Sequence, residues 1–163
     1  MPDAKSDAER FMTKAIALAR DNVLGGGRPF GAVLVMDGEI VSTGVNQVMA
    51  TKDPTAHAEL VAVRAAAMKL GRATLAGATV YASGHPCPMC LAAMRLAGIT
   101  DIAYAYSNED GAPHGLTSAA LYADLRKPLA EQAMQFVYQP VRPDGEDIYE
   151  IWSARQRRQT PDA

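Results

Sequence analysis

Two cysteines, three histidines, one tryptophan and three phenylalanines are all that this chain of 163 residues has of those types. Two cysteines cannot build a disulfide scaffold, and a chain of this length buries enough surface to fold without one. No apolar run reaches membrane-spanning length. The opening MPDAKSDAER is polar and has no apolar centre, which predicts no secretory signal and a cytoplasmic protein. A basic excess is missing too, since the formal net charge is -2. Proteins that grip a phosphate backbone usually carry such an excess. The expected partner is therefore a small molecule, with no membrane and no nucleic-acid strand. Arg155, Arg157 and Arg158 form the one local basic cluster, read as a solvated helix end that suits the helix dipole.

What is present is an alternation of short elements. Residues 6–22 place Phe11, Ala15, Leu18 and Ala19 near one helical face, which predicts an amphipathic helix. GGGRPFG (25–31) is a loop. Residues 32–45 read as two strands joined at Asp37-Gly38, a strong two-residue hairpin signal. A polar loop over 46–56 leads into a helix over 57–70, closed by Gly71. Residues 78–83 and 101–107 read as strands flanking a second helix over 86–98, which opens on proline. A loop over 108–117 and a short helix over 118–125 follow, then MQFVYQ (134–139) as a fifth strand and a terminal helix at about 145–158. Met68, Met89, Met94 and Met134 are spaced like core filler. The expected architecture is one α/β domain over residues 1–163, a mixed sheet with helices on both faces.

The chemistry concentrates at two helix starts. His57-Ala58-Glu59 opens one helix, and Pro86-Cys87-Pro88-Met89-Cys90 opens the next. A Cys-x-x-Cys at a helix start directs both sulfurs at one ion, and the unpaired N–H groups there favour thiolate over thiol. Zinc accepts thiolate and imidazole together. His57, Cys87 and Cys90 would supply three ligands and leave one position for water, as in a catalytic rather than a structural zinc site. Glu59 is then placed as the general acid/base, taking a proton from water and passing protons to a ring nitrogen and a leaving amine. Cys-x-x-Cys alone is a moderate signal and His-x-Glu alone a weak one. Together in this order, with prolines flanking Cys87, they match the signature of zinc-dependent nucleobase deaminases.

On these residues the sequence resembles the cytidine deaminase-like superfamily and, within it, is most similar to the bacterial guanine deaminases. The resemblance is carried by Pro29-Phe30-Gly31-Ala32-Val33, Asn46, the run Asp53 to Glu59, and Pro86 to Leu91, and extends over about residues 8 to 140. It implies a three-layer α/β/α sandwich around a five-stranded mixed sheet, a bound Zn2+ and a homodimer. It implies that Asn46 hydrogen-bonds the base and that Phe30 packs near it. His57 and Ala58, beside Glu59, are expected to touch the substrate as well. Asp110 falls where guanine deaminases carry a second acid that assists proton transfer, and is expected to be catalytic.

Three departures from the family pattern stand out. His85 replaces a glutamate that commonly stands two residues before the first zinc cysteine. Leu96 is the nearest counterpart of a tryptophan that the family often offers to the base. No tyrosine ends the chain, although Tyr149 and Trp152 lie upstream.

The resulting expectation is hydrolytic deamination of a nucleobase or related amino-heterocycle, with guanine to xanthine plus ammonia as first choice. Another base, a nucleoside, a pterin, a triazine or a tRNA adenosine is the alternative within the same chemistry. His85 has three readings: a polar loop residue, a substrate contact, or a fourth zinc ligand. The last would turn the protein into a structural zinc interaction module.

Overall fold

The computed structural model describes residues 4–142, 144–145 and 147–159. They form two compact units, Met1–Lys127 and Pro128–Ala163.

The first unit is built on a sheet. Strand β1 (Gly31–Met36) is an apolar run buried on both faces. Side chains alternate across a strand, and here Val33 and Val35 enter one core cluster while Ala32 and Leu34 enter another. Asp37 and Gly38 both have positive φ, 52° and 77°, as a tight primed turn requires. They return the chain into β2 (Glu39–Val45), antiparallel to β1. β3 (Thr79–Gly84) lies antiparallel on the other side of β1, and β4 (Asp101–Tyr106) runs parallel to β3. The strand order is β2-β1-β3-β4.

Helix α1 (Ala4–Leu24) covers one face, with Phe11 and Ala15 packed against Val33 and Val35. A four-residue helix, α2 (Val48–Thr51), lies within the expected polar loop. Helices α3 (Ala58–Leu70) and α4 (Pro88–Leu96) share the core cluster on the opposite face, where Ala62, Ala66, Met94 and Ile99 meet Leu34 and Val80. These layers make the expected three-layer α/β/α sandwich. The expected 108–117 loop contains a one-turn helix, α5 (Asn108–Gly111), and a 3-10 turn (Ala112–His114), ahead of α6 (Ala119–Leu125).

The sheet has four strands among the described residues, so the expected five-stranded count is corrected. Residues 134–139 have strand composition but join no ladder, and Phe136, Val137 and Tyr138 are exposed. Strand propensity describes fit to a pleated, half-buried surface, and it supplies no partner edge by itself. Two of the four methionines expected in the core are also exposed: Met68 and Met134 face solvent, whereas Met94 is fully buried and Met89 packs against the core. In the second unit α7 (Ile148–Gln159) forms close to its expected bounds, with Tyr149 and Trp152 exposed.

Candidate active site

His57 and Cys87 occupy equivalent places. Each is the N-cap of its helix, α3 and α4 respectively, with nearly identical extended backbone angles (φ -73° in both; ψ 154° and 165°). Pro88 fits the first helical position of α4, where its missing N–H costs nothing. Gly44 on β2 lets α3 come this close to the sheet: a Cβ there would lie 2.2 Å from the Ala58 carbonyl oxygen. The approach to His57 is fixed by Asp53, whose Oδ1 accepts hydrogen bonds from the Thr55 N–H (2.8 Å) and hydroxyl (2.7 Å).

These placements bring Cys87 Sγ to 3.4 Å from His57 Nδ1. One ligand atom each from His57, Cys87 and Cys90 lie within 4.8 Å of one another. Zinc–sulfur bonds of about 2.3 Å and zinc–nitrogen bonds of about 2.0–2.1 Å set tetrahedral ligand atoms roughly 3.5 Å apart, so the trio fits that ion. The electrostatics favour a thiolate at one of the two cysteines. Cys87 is pushed down to about 4, first by its hydrogen bond with Cys90 and then, against the cost of burial, by His57. Cys90 is pushed up by the Cys87 sulfur and by burial, so the pair holds a thiolate on Cys87. His57 is raised, first by its bond to that sulfur.

Glu59 is buried two residues into α3 and lies 3.6 Å from Cys90 Sγ through Oε2. Burial raises its pKa above the usual carboxylate range, which suits a group that must both take and give a proton near neutrality. His57, Glu59 and Cys87 open into a pocket of about 150 Å³ whose other walls include Arg28, Phe30, Asn46, His85 and the segment Gly115–Ser118.

Residues 5–106 match the family described as the cytidine and deoxycytidylate deaminase zinc-binding region. The chain belongs to this family. It is 39% identical to the guanine deaminase of Bacillus subtilis (strain 168) over 88% of this chain and 92% of that protein. It is 32% identical to the tRNA-specific adenosine deaminase of Aquifex aeolicus over 88% of this chain and 93% of that protein. The X-ray structure of the Bacillus subtilis guanine deaminase superposes with a TM-score of 0.78 at 35% identity, covering 95% of this chain and 96% of that one. This deaminase is therefore a zinc-dependent hydrolase acting on C–N bonds.

The remaining expected site residues fall in three groups. Asn46 and Phe30 line the zinc pocket of the deaminase. Asn46 is buried, its Oδ1 accepts the Val48 N–H (3.2 Å), and its own N–H donates to the Phe30 carbonyl (3.1 Å). Phe30 packs over Gly84, where a Cβ would lie 2.9 Å from the ring. Ala58 is fully buried at the first position of α3 and is not part of the pocket wall.

His85 also lines the pocket, but Nδ1 sits 3.0 Å from the Pro86 carbonyl oxygen, and the ring meets Tyr104 and Tyr122 edge-on at 4.6 and 5.4 Å. Among the described residues the metal-ligating group contains three side chains, and His85 is not one of them.

Asp110 and Leu96 lie elsewhere. The Asp110 carboxylate accepts from the Ser107 N–H (2.8 Å) and hydroxyl (3.0 Å) in a capping box, which lowers its pKa, and it lines an apolar cavity beside α1 that shares Phe30, His85 and Leu116 with the zinc pocket. Leu96 is 90% exposed at the end of α4 and offers nothing to the pocket.

Sequence reasoning missed Arg28, Asn22 and the Gly115–Ser118 wall. Asn22 Nδ2 donates to the carbonyls of Arg28 (2.7 Å) and Asn46 (2.9 Å), tying two sides of the pocket together. Asn108 Oδ1 accepts from the Ser118 N–H (2.9 Å) and the Thr117 hydroxyl (3.2 Å), which holds the loop wall. The GGGRP run marked a loop but carried no sign of where Arg28 would stand.

Proposed function

We propose that this deaminase hydrolyses a free purine base, converting guanine and water to xanthine and ammonia. The observation that carries the reading is the small pocket that places Glu59, Asn46 and Phe30 around the His57–Cys87–Cys90 trio. Its volume of about 150 Å³ suits a bare ring. The likeness to a guanine deaminase over most of both chains points the same way.

Zinc, when bound by His57, Cys87 and Cys90, supplies the Lewis acidity that makes water nucleophilic near neutral pH. Glu59 removes a proton from the water as oxygen bonds to C2 of the ring, and delivers it to ring nitrogen N3. The same carboxyl then carries the second proton of that water to the exocyclic nitrogen. The C2–N bond breaks as the C2 oxygen becomes a carbonyl, and ammonia leaves with xanthine, which keeps the proton delivered to N3. Asn46, whose Oδ1 is taken by Val48, offers its side-chain N–H groups to acceptors of the ring. Phe30, held over Gly84, supplies an apolar wall for the ring face. The thiolate ligands require a reducing compartment, which supports a cytoplasmic enzyme of purine metabolism. Exposed Tyr104 and Tyr106 on the outermost strand β4 support a homodimer that covers apolar surface.

The likeness to tRNA adenosine deaminases gives a second reading, in which the base is presented by an RNA strand. A direct comparison separates them: steady-state deamination of guanine against an adenosine in a tRNA anticodon stem-loop. Turnover of guanine with no salt-sensitive RNA affinity supports the free-base reading. Turnover of the RNA alone overturns it.

A further inference from the structure

Arg28 stands exposed in the wall of the zinc pocket. Its guanidinium makes no ion pair and no hydrogen bond among the described residues. Its backbone, by contrast, is fixed. The Arg28 carbonyl accepts from Asn22 Nδ2 (2.7 Å) and from the Phe30 N–H (2.8 Å). Gly27 is part of the same device, because a Cβ there would lie 2.5 Å from Asn22 Nδ2. The loop therefore holds a charged, five-donor fork beside Asn46 and leaves its hydrogen-bonding capacity unused by the protein.

We propose that Arg28 is a specificity-determining residue that reads the O6/N7 edge of a 6-oxopurine. The inference rests on the purine-deaminase reading of the pocket and adds how the ring is chosen. Attack at C2 requires C2 and its amine to face the metal ligands and Glu59. The atom across the six-membered ring from C2 is C5, which bonds both N7 and C6. The O6 and N7 acceptors are thus carried on the side of the ring turned away from the metal. The exposed guanidinium of Arg28 occupies the pocket wall with two parallel N–H donors to give. A guanidinium fork matches that pair of acceptors bidentately. An adenine attacked at C6 would instead turn N3 and N9 outward, and no paired O6/N7 edge would meet the fork. Arg28 then favours the 2-amino-6-oxo ring over the 6-amino ring.

The test uses the zinc-loaded protein and its Arg28→Ala and Arg28→Lys variants. Three quantities are read: zinc content, kcat and KM for guanine, and competitive Ki values for hypoxanthine and unsubstituted purine in the same assay. Hypoxanthine keeps O6 and N7, and purine lacks O6. Arg28→Ala is expected to lower kcat/KM for guanine by about 10- to 100-fold, the range of a lost bidentate contact. The loss falls on KM, because the far edge is held equally before and during reaction. Ki for hypoxanthine rises in parallel, Ki for purine, which offers N7 alone, rises less, the zinc content stays put, and Arg28→Lys recovers only part, having lost the fork. Equal weakening of hypoxanthine and purine, or an unchanged KM for guanine, overturns the assignment of Arg28 alone. A wild-type protein that does not turn over guanine overturns the purine reading and this inference with it.

Discussion

Glu59 Oε2 lies 3.6 Å from Cys90 Sγ, and both residues are buried at the ends of two helices that share one face of the sheet. The proton carrier thus stands against the metal-ligating set without belonging to it, so the carboxyl can be altered without removing a ligand. Glu59→Gln keeps the shape and removes the base. Its kcat for the base substrate is expected to fall by about 10²–10⁴-fold, the usual contribution of a positioned acid/base, while zinc stays at one per chain by atomic absorption. Loss of zinc along with activity would make Glu59 a ligand and not a proton carrier.

Removing the metal should act on both activity and folding. Dialysis against a chelator is expected to abolish turnover and lower Tm, and added zinc should restore both, because binding energy at a folded site is folding energy. Cys87→Ser should lose zinc even without chelator. A fully active metal-free protein would contradict the role given to the trio.

His85 distinguishes a catalytic from a structural zinc site. With Nδ1 at the Pro86 carbonyl and the ring against Tyr104 and Tyr122, it stands outside the ligating set. His85→Ala is expected to keep zinc at one per chain, measured alongside the wild type. A proportional loss of zinc would make it a fourth ligand and favour the structural module.

The Gly44–Ala58 contact predicts a stability cost remote from the chemistry. A methyl group at Gly44 would meet the Ala58 carbonyl at 2.2 Å, so α3 must shift. Gly44→Ala is expected to cost about 1–3 kcal/mol in urea unfolding, the range for overpacking. It should also reduce kcat, because α3 carries His57 and Glu59. Unchanged stability would show that α3 has slack at this contact.

Much of this was legible in the sequence because the signals are local. The hairpin follows from Asp37-Gly38, whose positive φ values few other pairs adopt. The zinc trio could be read because each ligand starts a helix, and helix starts are announced by nearby prolines and turn residues. What failed depended on distant partners. Residues 134–139 have strand composition, but pairing is decided by an edge that composition does not reveal. Arg28 and Asn46 are brought together by Asn22, from 6 and 24 residues away, a relation no local pattern carries.

The central claim is that the His57–Cys87–Cys90 site with Glu59 deaminates a free purine base. Ammonia release from guanine by the zinc-loaded protein at neutral pH, with xanthine followed in the same sample, tests it most directly. The wild type is expected to yield equal amounts of ammonia and xanthine, and Glu59→Gln neither on the same timescale. No release from guanine by fully zinc-loaded wild type, or undiminished release by Glu59→Gln, would contradict it.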